Sequence, residues 1–262
     1  LLPLLLFMIY IMRGGIEGLL ASYSGKDFSL TERLLTEANV LLDYLRLILI
    51  PTSGSFSLFH DDYRIARGLL DPPMTLFSVV MIILLLVSAL VLRRRARIYS
   101  FAVLWFFAGH VLESSIINLE LYFEHRNYLP LLGPLIFVIW GLGKLSDRIV
   151  SGTVRKGIVP LYMLVILTVT LLETGLWSDP YLQAHEWARQ HPQSKRAVNH
   201  LLDINLILGR HVEAGELITR LQGLDNRDIF PVIKEITIRS CYNGETIIGT
   251  DWNQYNMAAE SA

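Results

Sequence analysis

Met74–Leu92 (MTLFSVVMIILLLVSALVL) runs for 19 residues without a charge, and Arg93, Arg94, Arg95 and Arg97 follow it at once. A helix of that length rises about 30 Å, the thickness of a bilayer's hydrocarbon core. A basic cluster at its end belongs on the cytoplasmic side. The chain is therefore expected to fold in and around a membrane. Composition agrees: 52% of residues are hydrophobic and only 18% charged, against about 25% charged in soluble domains. The formal net charge of −1 offers nucleic acid no electrostatic footprint. A single cysteine, Cys241, excludes an intramolecular disulfide and any multi-cysteine metal site.

Further spans are expected around Tyr99–Ile117, which carries His110 and Glu113, then Tyr128–Gly143 and Gly157–Leu176. Leu1–Met12 is apolar but too short to span, and it lacks the basic start and small-residue cleavage site of a signal peptide. It reads as a span cut by the beginning of the sequence, so the chain is expected to be a fragment. The connection after Gly143 holds Lys144, Arg148, Arg155 and Lys156, whereas Arg13–Pro73 holds six basic residues in 61. The positive-inside rule then puts both basic connections in the cytoplasm. It places Arg13–Pro73, the turn Glu120–Asn127 and everything after Trp177 on the outer, periplasmic side. The expected fold is all-α: a polytopic domain of about five spans over 1–177, with the first truncated, in a bacterial inner membrane.

Within the outer segment, Ser29-Leu30-Thr31-Glu32 has the S-x-x-E form of a capping box. Leu34, Ala38, Leu41, Leu42, Leu45, Ile48 and Leu49 then recur at helical spacing, opposite Glu32, Thr36, Asn39, Asp43 and Arg46. Pro51 ends the pattern. The spacing predicts an amphipathic helix over 29–50 lying on the membrane surface or against other spans.

After Ser178 the pattern shortens. Asp179-Pro180 opens a helix ending near His191-Pro192, Ser194 can cap a second over Lys195–Leu208, and Gly209 separates a third from about His211 to Leu221. Pro192, Ala197, Leu208-Gly209-Arg210 and Glu213-Ala214 read as tetratricopeptide-like hairpins over 178–233. Residues 234–262 carry no helical stripe and read as a poorly ordered tail.

Two charged clusters fall on the outer side. His60-Asp61-Asp62, within Phe59–Arg64, can bind a divalent cation or supply a base. The alternative is a solvated loop whose carboxylates pair with Arg64 and Arg67. The second cluster is Glu124-His125-Arg126-Asn127-Tyr128-Leu129-Pro130. The planar guanidinium of Arg126 suits phosphate oxygens, with His125 and Tyr128 beside it. The alternative pairs Arg126 with Glu124 and leaves Tyr122, Phe123 and Tyr128 as an interfacial aromatic belt. His110 and Glu113, three apart in a span, share a helix face and mark either a functional interior or a packing pair.

Tyr44-Leu45-Arg46 to Leu49-Ile50-Pro51, Leu58–Tyr63, the Glu-His-Arg-Asn-Tyr-Leu-Pro string and the trailing hairpins together resemble a glycosyltransferase family. Its eukaryotic members are the transmembrane and tetratricopeptide-repeat protein O-mannosyltransferases, and it has bacterial membrane relatives. The likeness spans roughly Leu1–Leu221. It implies a GT-C-type membrane fold and a polyprenyl-phosphate-linked sugar as donor, transferred to a protein or glycan on the outer face. It implies that Arg126, with His125 and Tyr128, contacts the donor phosphate, and that His60, Asp61 and Asp62 face the acceptor. The catalytic carboxylate it implies lies in a first outer loop, upstream of Leu1, so the fragment alone is expected to be inactive. The rival expectation is a non-catalytic membrane scaffold whose tail recruits envelope or pilus-assembly partners.

Overall fold

The computed structural model describes residues 21–24, 26–52, 57–149 and 152–224, with the backbone alone at 145–149, 152–156 and 158–159. Among these residues the fold is all-α, with eight helices and no strand. In chain order they are α1 (Leu30–Leu49), α2 (Met74–Leu92), α3 (Arg97–His110), α4 (Leu132–Ile149), α5 (Gly152–Trp177), α6 (Pro180–Gln190), α7 (Lys195–Ile207) and α8 (His211–Leu224). A single 3-10 turn, Glu124–Asn127, precedes α4. The expectations for Leu1–Met12, Cys241 and the tail 234–262 lie outside the described residues.

Two described helices are long and apolar enough to cross a membrane: α2, and the stretch Pro160–Trp177 of α5. The span expected over Tyr99–Ile117 stops at His110, giving a helix of 14 residues. That is about 21 Å of rise, short of a bilayer core. In α4 the apolar stretch is Leu132–Lys144, also short of a span. Five spans are therefore not what the described helices supply; two are.

The chain divides into two compact units. The first holds Leu1–Leu58 with Tyr63–Leu172, and the second holds Phe59–Asp62 with Glu173–Ala262. The division falls between Leu172 and Glu173, within α5, a few residues before the Trp177 boundary expected from the sequence, and four residues of the α1–α2 connection join the C-terminal helices.

In the first unit, α1 begins with the predicted capping box: Ser29 Oγ accepts from Glu32 N–H at 3.3 Å, and Ser29 N–H donates to the Glu32 carboxylate at 2.7 Å. Its packing departs in part from the expected faces: Ala38 and Leu41 of the apolar stripe are buried, but so are polar residues. Arg33, Thr36, Glu37 and Asn39 are buried, whereas Leu34 and Leu49 are each 43% exposed. The polar side is buried because it finds partners. Thr36 Oγ1 accepts from Ala66 N–H at 2.9 Å, and Asn39 Nδ2 donates to the Thr75 hydroxyl at 3.0 Å. Tyr63 OH donates to Asp43 at 2.6 Å. Val40, Leu41, Tyr44, Phe106 and Tyr122 complete this core. The exposed leucines are the surface an apolar solvent would cover.

Two glycines set the fit of α3 against the segment before and within α4. A Cβ on Gly133 would meet Ala102 O at 2.8 Å, and one on Gly109 would meet the Pro130 ring at 2.6 Å. Only hydrogen at these Cα atoms permits such an approach. Trp105 Nε1–H donates to Leu129 O at 3.0 Å across the same contact. The turn carrying 124–128 is thus held at a defined place.

In the second unit each helix starts at the expected residue. Asp179 caps α6 by accepting from Tyr181 and Leu182 N–H, each at 3.0 Å, with Pro180 in the first turn. Ser194 caps α7 through Ala197 N–H at 3.0 Å. Gly209, at φ +70°, turns the chain into α8, a conformation costly for any residue with a Cβ. Val198, Leu202, Ala214, Ile218 and Leu221 form one core and Ala184, Ala188 and Leu201 another. Small alanines where helices meet allow the close approach.

Candidate functional site

A cavity of about 400 Å³ opens in the first unit. Tyr44, Leu47, Ile48 and Pro51 of α1 and its exit form one wall, and Leu131, Leu135 and Ile166 add apolar surface. Glu124, His125, Asn127 and Tyr128 supply the polar groups. The end of α1 and the Glu-His-Arg-Asn-Tyr-Leu-Pro string, far apart in sequence, therefore line one space. An apolar cavity with a few convergent polar groups is the usual form of a small-molecule site.

The three residues expected at a donor phosphate part company here. His125 and Tyr128 line the cavity, with Tyr128 87% exposed. Arg126 is not among the lining residues. Its Nε lies 3.5 Å from the Glu113 carboxylate, one of its terminal nitrogens donates to Glu120 O at 2.6 Å, and its guanidinium stands 5.6 Å from the Phe123 ring centroid. Glu113 is a partner of Arg126 that the sequence reading did not name. That partner is available because α3 stops at His110, which puts Glu113 in the following turn rather than on a shared helix face.

The charged core behind the cavity went unnoticed in the sequence. Arg33 is fully buried, and its guanidinium donates to Ser115 O at 3.1 Å, to Glu113 O at 3.0 Å and to Leu119 O. The irregular segment after α3 has its carbonyls satisfied by one side chain of α1. The Glu37 carboxylate, 2% exposed, lies 2.9 Å from Arg33. Burial pushes Glu37 up from 4.5 to about 7, against the pull of the Arg33 guanidinium. The sequence signal was present: Arg33 and Glu37 are four apart, the spacing of a helical ion pair.

Tyr44 joins this core to the cavity. Its hydroxyl accepts from Phe123 N–H at 2.6 Å, and its ring stacks on His110, centroids 5.6 Å apart and planes at 29°. His110 is 1% exposed, with Nδ1 2.9 Å from Phe106 O. If Nδ1 donates to that carbonyl, Nε2 is left as the acceptor.

His60, Asp61 and Asp62 are not among this cavity's lining residues; they belong to the second unit. Asp61 accepts from the Ser194 hydroxyl and lies 3.4 Å from Arg196 N at the start of α7. Asp62 lies 2.9 Å from His191 Nδ1, and the His60 ring meets the His191 ring edge-on at 4.7 Å. Arg64 and Arg67 pair instead with Asp71 and Glu32. Among the described residues no group of three or more His, Cys, Asp or Glu is arranged to hold a metal ion.

No family model, curated protein or solved structure matches the chain.

Proposed function

We propose that this chain is the membrane-embedded part of a glycosyltransferase that uses a polyprenyl-phosphate-linked sugar to modify a protein or glycan on the outer face of a bacterial inner membrane. The observation that carries the reading is the shared cavity. Two of the stretches that carry the resemblance, Tyr44–Pro51 and the more specific Glu124–Pro130, meet there around an apolar interior with polar groups. Leu47, Ile48, Leu131, Leu135 and Ile166 suit the hydrocarbon part of a lipid carrier, and His125, Asn127 and Tyr128 suit its polar end. In this arrangement Arg126 acts one step back. Its contacts to Glu113 and Glu120 O orient the turn that presents His125 and Tyr128.

Topology supports the outer face. Phe59–Asp62 and the C-terminal helices form one unit, so both stand on the same side of any membrane that α2 and α5 cross. α2 leaves that side and ends on Arg93, Arg94, Arg95 and Arg97, which belong in the cytoplasm. α4, α3 and the residues before α1 would complete the about five spans of a GT-C-type domain, and α6–α8 would be its tetratricopeptide-like tail.

The test is transfer of radiolabelled sugar from a polyprenyl-phosphate donor by membranes carrying the protein in its natural gene context. Tyr128→Ala and His125→Ala, both surface changes, are expected to reduce transfer at least tenfold with unchanged membrane level. Full transfer by the double variant would overturn the reading.

A further inference from the structure

The C-terminal helices hold a tetrapeptide of their own chain. Phe59 of the α1–α2 connection packs edge-on against Trp187 (centroids 5.6 Å, 88°) and beside His200 (5.6 Å). The Arg196 guanidinium lies 5.3 Å from the centre of its ring. Two residues on, the Asp61 carboxylate sits at the start of α7 against Ser194 and Arg196 N. Asp62 then engages His191. An aromatic socket, a helix N-terminus and a histidine thus read three side chains in order, and each contact suits its residue. A ring favours an aromatic box with a cation beside it. A carboxylate favours the N–H groups that open a helix.

All of these contacts are made through side chains of the tetrapeptide, so a segment presenting the same groups at the same spacing fits the same surface.

We infer that the α6–α7 surface around Trp187, His191, Ser194, Arg196 and His200 is a peptide-docking site for an extended acidic segment of the form Phe-x-Asp-Asp from another protein, occupied at rest by Phe59–Asp62 of this chain. The strap acts as a tethered competitor. A partner must match an effective concentration of the millimolar order, so the site opens only to a locally concentrated or multivalent segment. This goes beyond sugar transfer and holds for an enzyme or a scaffold alike.

The experiment uses the whole chain in detergent micelles and a fluorescent peptide of residues 57–64, SLFHDDYR. A Phe59→Ala/Asp61→Asn variant, whose site is emptied, is expected to bind the peptide saturably. The wild type should bind it at least tenfold more weakly, and a peptide with Asn at the position of Asp61 should lose at least tenfold on the emptied chain. Adding Arg196→Glu should abolish binding. No binding to an emptied chain that keeps its helical circular dichroism, or equal binding of the Asn peptide, overturns the site. Should the emptied variant misfold, hydrogen exchange on the wild type decides. Saturating peptide is expected to speed amide exchange across 57–64, and unchanged exchange there overturns the proposal.

Discussion

Arg33 stands one helical turn before Glu37 in α1, its guanidinium 2.9 Å from the carboxylate, with side chains 0% and 3% exposed. The pair ties α1 to the irregular segment after α3, because the same guanidinium takes the carbonyls of Glu113, Ser115 and Leu119. Removing the cation strands both the carboxylate and those carbonyls. Arg33→Met is expected to cost about 3–5 kcal/mol, read as a lower midpoint of thermal or denaturant unfolding in detergent.

Glu37 gives this core a pH dependence of definite sign. Its folded pKa is raised, from 4.5 to about 7, so between those values the folded state holds more protons than the unfolded state. Its contribution to stability is fully present below about 4.5 and falls as pH rises to 7. The span corresponds to about 3 kcal/mol. Glu37→Gln is expected to flatten that part of the profile, checked by comparing the Tm of both proteins at pH 5 and pH 8. The same change in Tm between those values in both proteins would refute this role.

Two glycines of one helix should respond oppositely to the same change. Gly133→Ala sets a methyl against Ala102 O at 2.8 Å, where backbone must move, and should cost about 1–3 kcal/mol. Gly141→Ala meets nothing within 4 Å and should be neutral or stabilising by up to about 1 kcal/mol through helix propensity. Parallel thermal melts separate the two.

Tyr44→Phe removes the acceptor of Phe123 N–H while keeping the ring on His110 and the cavity wall. An orphaned amide there should cost about 1–3 kcal/mol and raise amide exchange at Phe123, which mass spectrometry of peptides covering 120–128 would detect.

Membrane orientation is open to a direct check. A reporter active only in the cytoplasm, fused after Trp177, should stay silent, while the same reporter fused after Arg95 should be active. Activity after Trp177 would invert the arrangement.

What was legible in the sequence was local. The capping box at Ser29, the helix starts at Asp179 and Ser194, the break at Gly209 and the uncharged run Met74–Leu92 all appear where spacing and residue type placed them. Each depends on a few neighbouring residues and on the backbone groups that any helix end leaves unsatisfied. The partners of the charges were not legible. Periodicity alone put Thr36 and Asn39 of α1 on a wet face, and nothing local shows that loop carbonyls, Ala66 N–H and Thr75 would come to satisfy the polar side. The site expected at Glu124–Pro130 kept His125 and Tyr128 at a cavity while Arg126 turned to Glu113. The carboxylates expected to serve an acceptor, Asp61 and Asp62, went to the helices that begin over a hundred residues later. Hydrogen bonds within a turn are set by the chain's own geometry, so the sequence by itself determined the capped helix starts, while the early stop of α3 at His110 lay outside it. Which buried charge meets which partner depends on surfaces brought together across long loops, and only the tertiary structure decided that.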